Sequence, residues 1–210
     1  MIRWYDYFII YGWSNAILVI MKIMGLLLRM ATDTRTRTIT LHKDPWPHVV
    51  IENVFDNYEQ VYNRVWNVPW NEEQSQPGIS FFHAHDEEEW QDVCEQLQSL
   101  VQPVYDACGH TVGDTCIRRQ MSVHQTKPQY FLQAHNDVKD ASQLMLNLQV
   151  YFPHESNTGQ REAVILHEHK KFSRDNHAVI PYQHNTAWGF FATENTWHTL
   201  PPVRTPRRSF

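Results

Sequence analysis

The chain has 210 residues and a formal charge of −5, with 23 Asp and Glu against 18 Lys and Arg. That length suits one domain, or one domain with an appendage, and the acidic balance gives no electrostatic footprint for nucleic acid. Hydrophobic residues make up 42%, enough to bury a core, and the 3 cysteines (Cys94, Cys108, Cys116) lack CxxC spacing, which excludes a disulfide framework or zinc knuckle and reads as reduced thiols of a cytosolic domain.

Residues 1–29 stand apart from the rest. Residues 8–28 read FIIYGWSNAILVIMKIMGLLL, 21 residues with Lys22 as the one charge, long enough to cross a bilayer. Lys22 lies past the centre, where its long side chain snorkels toward water. Asp6 offsets Arg3 and no small-x-small cleavage site follows, which argues against a cleaved signal peptide. Three readings remain: a membrane anchor, an extension upstream of Met30, or a buried helix. For an anchor, Lys22, Arg29, Arg35 and Arg37 put the main domain on the cytoplasmic side. Residues 30–44 read as a polar, Thr-rich linker, and 45–210 as the folded domain.

Within that domain, PWPHVVIENVF (45–55) reads as a strand, and Asn57–Trp66 as a short helix with Val61 and Val65 inward. Pro69–Ser80 reads as loop and Phe81–His85 as a strand. Asp86 is expected to cap a helix whose first turn carries Glu87, Glu88 and Glu89, suited to the helix dipole. Trp90, Cys94, Leu97, Val101 and Val104 make its apolar stripe, and Pro103 is expected to end or kink it. From residue 115 onward, strands are expected near 116–124, 129–135, 144–152, 163–169, 177–181, 187–191, 197–200 and 207–210. Many short strands with polar turns predict a mainly β fold with flanking helices, a barrel or jelly roll. In Leu144–Phe152, Leu144, Leu146, Leu148, Val150 and Phe152 alternate with Met145, Asn147, Gln149 and Tyr151. One face is apolar and the other mostly polar, as a strand between a core and a lined cavity requires.

His135 and Asp137 are spaced i and i+2, which on a strand puts both on one face. With His198 they supply the two imidazoles and one carboxylate of a non-haem Fe(II) facial triad. Other readings compete: a turn Asp beside a surface His, a satisfied core histidine at 198, or a zinc site using the HxH of His167 and His169, which otherwise reads as a charged surface strand. His42-Lys43-Asp44 repeats the HxD spacing in a polar lead-in, and His83 and His85 read as a solvated turn. Arg207 supplies the bidentate fork that the far carboxylate of a 2-oxo diacid needs, and the Tyr151 hydroxyl reaches the same group. Alternatively, Arg207 is a solvated charge in a basic tail with Arg204 and Arg208.

Together these stretches resemble the Fe(II)/2-oxoglutarate-dependent dioxygenases, in the prolyl 4-hydroxylase-like branch, over about residues 45–210. PWPHVVIENVF resembles that branch's opening, YFLQAHND its Y-x-L-x-x-H-x-D strand, LNLQVYF its second core strand, NTAWGFFATENTWHTLPPV the stretch delivering the second His, and RRSF its closing R-x-S. The resemblance implies a double-stranded β-helix (jelly-roll) core. It implies His135, Asp137 and His198 as iron ligands. Arg207 would hold the distal carboxylate of 2-oxoglutarate, helped by Tyr151 and Ser209; Arg208 is the alternative if the register slips, and Arg204 is less well placed. It also implies O2 as co-reactant, ascorbate as an accompanying reductant, and an unidentified substrate, with a protein side chain of prolyl type favoured. The chain departs from the family in ending three residues after Arg207, which reads either as a fragment or as a chain with a short C-terminal end. It also carries GQREAVIL (159–166) where Gly-Gly-x-Leu is common. The competing reading of another class is a jelly-roll binding module without catalysis.

Overall fold

The computed structural model describes residues 36–70, 77–110, 121–138, 144–154, 159–170 and 177–210. The hydrophobic stretch 8–28 lies outside them, and no helix among the described residues is long and apolar enough to cross a membrane. Residues 37–210 form one compact unit. Its strands are β1 (Thr38–His42), β2 (His48–Glu52), β3 (Ile79–Phe82), β4 (Val123–Thr126), β5 (Leu132–His135), β6 (Met145–Val150), β7 (Gly159–His167), β8 (His177–Tyr182), β9 (Thr186–Ala192), β10 (Trp197–Leu200) and β11 (Arg207–Ser209). Three α-helices accompany them: α1 (Tyr58–Trp66), α2 (Gln91–Gln98) and α3 (Val101–Cys108).

β1, β2, β9 and β6 pair in that order, and β11, β4 and β3 form a second run. The two runs are one surface. Tyr151 bridges to Ser209 just past the end of β6, and Val150 and Phe210 exchange backbone hydrogen bonds of 2.9 Å in both directions. Facing this long sheet is a four-stranded sheet in the order β5, β10, β7, β8. Two mainly antiparallel sheets with strands crossing from one to the other form the jelly-roll core that the many short strands predict.

The alternation in β6 divides the interior. Val150 and Phe152, with Leu146 and Leu148 beside them, pack outward into a cluster with Val61, Val65, Leu97, Leu100 and Val104 of the helical layer. Tyr151 and Met145 point the other way, into the cluster between the sheets with Trp188, Phe190, Leu166 and Tyr182. Each strand of the long sheet therefore serves a dry core on one side and the inter-sheet space on the other.

Several expectations need correction. β1 falls in the stretch read as linker, so the folded unit starts earlier than residue 45. Four of its five residues are exposed, so its hydrophobic signal is weak. β3 begins at Ile79, two residues earlier than expected. Asp86 does not cap a helix: it lies in a 3₁₀ turn, Ala84–Asp86, and pairs with His85 at 3.4 Å. The single expected helix is two. α2 stops at Gln98, and Pro103 falls in the first turn of α3, where a missing N–H removes no helical bond. Gly109, at φ 72°, ends α3 in the left-handed conformation that favours glycine.

Leu100 joins α2 to α3 and is fully buried against the helix-side cluster. Leu100→Ala removes three buried carbons there and is expected to lower unfolding free energy by about 2–5 kcal/mol, read as a lower urea midpoint.

Candidate metal centre

The centre is built where β5 pairs with β10. His135 ends β5 and its Cα partner on β10 is His198, so antiparallel pairing brings together two residues distant in sequence. Their ring centroids are 4.2 Å apart. Nδ1 of His135 donates to the Gln133 carbonyl at 2.7 Å, and Nδ1 of His198 donates to the Thr196 carbonyl at 3.1 Å. A carbonyl only accepts, so Nδ1 carries a proton in each ring, and in the neutral imidazole the lone pair lies on Nε2. Those two Nε2 atoms face one carboxylate: His135 Nε2 lies 3.3 Å from Asp137 Oδ1, and His198 Nε2 lies 3.4 Å from Asp137 Oδ2.

Asp137 reaches this point by a route that strand spacing does not predict. β5 has already ended, and Asp137 takes φ 58°, a left-handed conformation uncommon outside Gly and Asn or Asp. The turn is pinned to the β9–β10 connection. Asn136 Nδ2 donates to the Glu194 carbonyl at 3.3 Å, and Thr196 Oγ1 donates to the Asn136 carbonyl at 3.4 Å. Thr196 thus touches the segments carrying both Asp137 and His198. The His198 side chain is 9% exposed, while those of His135 and Asp137 are each 34% exposed, so the centre opens to solvent on their side. Trp188 and Phe190 wall its inner side, with ring centroids 5.7 and 5.2 Å from His198.

The polar face of β6 continues the cavity. Asn147 Nδ2 donates to Asp137 Oδ2 at 2.8 Å. Gln149 donates to Ser209 Oγ at 3.1 Å and accepts from Trp188 Nε1 at 3.2 Å and Arg207 Nη2 at 3.4 Å. Arg207 is 3% exposed, with its guanidinium 4.6 Å over the Tyr151 ring and 5.0 Å over that of Tyr182. The Tyr151 hydroxyl is wholly buried and makes no hydrogen bond of ordinary geometry among the described residues. Burial pushes its pKa up to about 12, opposed by the Arg207 charge and the nearby N–H groups of Arg207 and Trp188. A buried hydroxyl beside a guanidinium is the environment a ligand carboxylate satisfies.

Arg208 points to the opposite face of the sheet. Its Nε donates to Gln125 Oε1 and its Nη1 to the Val65 carbonyl, each at 2.7 Å, and its guanidinium lies 4.1 Å over the Trp66 ring. Burial pushes its pKa down to about 10. Arg204 is exposed. Strand parity therefore separates the two neighbouring arginines: Arg207 faces the inter-sheet cavity and Arg208 faces α1.

Sequence reasoning missed His124. Its Cα partner on β11 is Ser209, its ring meets Phe81 at 4.8 Å, and burial, with Arg207 and His83 adding repulsion, pushes its pKa down to about 4. Nothing local marks it, because its partners lie on β3 and β11. The competing histidine pairs do not gather a metal site. His135, Asp137 and His198 are the group of metal-capable side chains found among the described residues, with ligand atoms within 4.8 Å of one another. His167 is buried while His169 is exposed beside Glu168 at 3.9 Å, so the HxH pair diverges in environment. His42 is exposed on β1. His83 and His85 are half-buried rather than solvated, bonded through Nδ1 to Ser122 Oγ and the Met121 carbonyl.

No family model matches the chain, and no curated protein matches it. Solved structures do. The chain is similar to a prolyl hydroxylase from Trichoplax adhaerens, in complex with a hypoxia inducible factor oxygen degradation domain peptide fragment, at 13% identity and TM-score 0.56, covering 77% of this chain and 80% of that one. It is similar to an oxidoreductase of the 2OG-Fe(II) oxygenase family from Burkholderia pseudomallei at 11% identity and TM-score 0.57, covering 77% and 81%. It also matches a non-haem α-ketoglutarate-dependent epimerase of nogalamycin biosynthesis at 12% identity and TM-score 0.51, covering 88% and 80%. The chain therefore has the fold of the 2-oxoglutarate-Fe(II) oxygenases.

His124 also has a pH consequence. As pH falls below about 6.5 the unfolded chain binds a proton that the folded His124 refuses until about 4, so stability declines through that window. His124→Asn is expected to shrink this decline, measured as the urea midpoint at about pH 7 against about pH 5.

Proposed function

We propose that the protein is an Fe(II)- and 2-oxoglutarate-dependent dioxygenase. The observation that carries the reading is the convergence of two Nε2 lone pairs and one carboxylate, each imidazole fixed through Nδ1 by a backbone carbonyl. Neutral imidazole with carboxylate is the donor set that Fe(II) takes in facial triads, and it leaves positions for other ligands. Fe(II) held by His135, Asp137 and His198 supplies dioxygen activation, coupled to oxidative decarboxylation of 2-oxoglutarate to succinate and carbon dioxide.

The residues around the centre have separable roles in this reading. Arg207 binds the distal carboxylate of 2-oxoglutarate, and its stacking on Tyr151 and Tyr182 holds the guanidinium plane in place. The Tyr151 hydroxyl, buried beside that guanidinium, donates to the same carboxylate. Ser209 and Gln149 line that end of the cavity and keep each other oriented. Trp188 and Phe190 exclude water behind His198. Substrate enters from the exposed side of His135 and Asp137. A protein side chain of prolyl type is the favoured substrate, on the strength of the motif resemblance, and the peptide bound by the Trichoplax enzyme is in keeping with it. Oxidation of one substrate C–H bond to an alcohol then consumes one dioxygen and one 2-oxoglutarate.

Succinate formation from 2-oxoglutarate tests this without a substrate guess, in Fe(II) with ascorbate present simply as reductant. Wild type is expected to form succinate only with iron, and His135→Ala or Asp137→Ala to abolish it. Iron-independent succinate, or full activity in either variant, refutes the assignment. Arg207→Lys keeps the charge and loses the fork. It is expected to raise KM for 2-oxoglutarate roughly 10- to 100-fold, the worth of about 1.5–3 kcal/mol for a hydrogen bond to a charged group.

A further inference from the structure

Asp137 is the candidate ligand that stands off the paired strands. Each histidine is keyed by the carbonyl two residues before it and stands on a paired strand. Asp137 stands past the end of β5 at φ 58°, and its side chain is one-third exposed. A carboxylate there has two equivalent oxygens and free χ rotation unless something else holds it.

Asn147 holds it from the other sheet. Its Nδ2 donates to Asp137 Oδ2 at 2.8 Å, a charge-assisted length. An ionised carboxylate accepts only, so the Asn147 amide must present its nitrogen and cannot flip. Asn147 is itself fixed. It lies mid-strand on β6, with Phe190 as its Cα partner on β9, and its neighbours Leu146 and Leu148 pack on the helix-side cluster. A slip of one residue in β6 would expose that apolar pair to the cavity, so the amide's position inherits the rigidity of the core. The bond also spans the sandwich, linking β6 of the long sheet to the turn that follows β5 of the facing sheet.

From this geometry we infer that Asn147 is a positioning residue for the metal centre: its amide fixes the rotamer of Asp137 and holds the carboxylate toward His135 and His198. The inference rests on the metal-centre reading above. It asks more than that reading does, since a triad needs only three donors in reach.

The test is metal affinity, measured with Co(II) by its visible absorption in otherwise metal-free protein, alongside metal-free thermal melts. Asn147→Leu keeps the approximate volume and removes the donor. Asn147→Ser retains a hydroxyl too short to reach and guards against a packing failure of the leucine. Each is expected to weaken Co(II) binding roughly 10- to 100-fold, the usual size of an outer-shell effect, with little change in the metal-free melt. In an Asp137→Ala background the same substitutions are expected to have no further effect, because Asn147 acts only through that carboxylate. Wild-type affinity in both variants overturns the inference while leaving the metal centre standing. Additive losses in the Asp137→Ala background also overturn it, since Asn147 would then act elsewhere. Absence of Co(II) binding in wild type would instead remove the metal-centre reading itself, and the positioning role with it.

Discussion

The antiparallel pairing of β5 with β10 is the constraint on which the centre depends. It places His135 opposite His198, two residues 63 positions apart in the chain. The pairing is irregular: Leu200 opposes Leu132, so three residues on β10 face four on β5 between the pairs. Such a bulge bends and twists a strand locally and re-aims a side chain. β5 is also an edge strand of its sheet, and it stops at His135. That termination frees the next two residues to turn back, and the carboxylate of Asp137 arrives beside the imidazoles by leaving the sheet rather than by continuing it. An ordinary extension of β5 would keep Asp137 on the same face but one pleat repeat away, roughly 6–7 Å along the strand.

The second half of the cavity follows from a different constraint, the junction of β6 with β11. Because Tyr151 bridges Ser209, Arg207, Ser209, Gln149 and Tyr151 share the inner face of one continuous sheet. Arg207 stacks there on two tyrosines. Its neighbour Arg208 is carried to the outer face, where neutral acceptors and a tryptophan hold it. A single step in strand parity thus assigns one arginine to the cavity and the other to the packing of α1. Both are buried, so exposure does not distinguish them; direction does.

What was legible in the sequence was whatever a period of two could encode. β6 announced its two faces, and both clusters adopt the division it implied. The HxD spacing and the aromatic surroundings of His198 point to residues that the fold brings together, although Asp137 reaches them from a turn rather than from the strand. What was illegible depended on pairing between distant segments. β1 is nearly all exposed and is defined by its ladder to β2. His124 owes its environment to β3 and β11, which lie about 40 residues before it and 85 after it. The break between α2 and α3 was hidden because an apolar stripe reads the same through a one-turn interruption. Pro103 reads as the end of one helix in the sequence, whereas it lies in the first turn of the next.

The fold by itself does not choose the reaction. Structures of similar shape include a prolyl hydroxylase and an epimerase, so the same two sheets hold chemistries that differ in what happens to the substrate carbon. In this chain the residues that could hold a metal come from strand ends and turns, while those that would fix a carboxylate ligand come from mid-sheet positions. The latter are buried and cross-braced through Gln149, which touches Trp188, Arg207 and Ser209 at once. His135 and Asp137 are each one-third exposed, and Asp137 is held from β6 by the Asn147 amide. The rigid end suits a ligand that is the same in every turnover. In the proposed reading, a carboxylate co-ligand would meet the buried, cross-braced wall of β6 and β11, while a substrate would approach from the β5 edge, where His135 and Asp137 are one-third exposed.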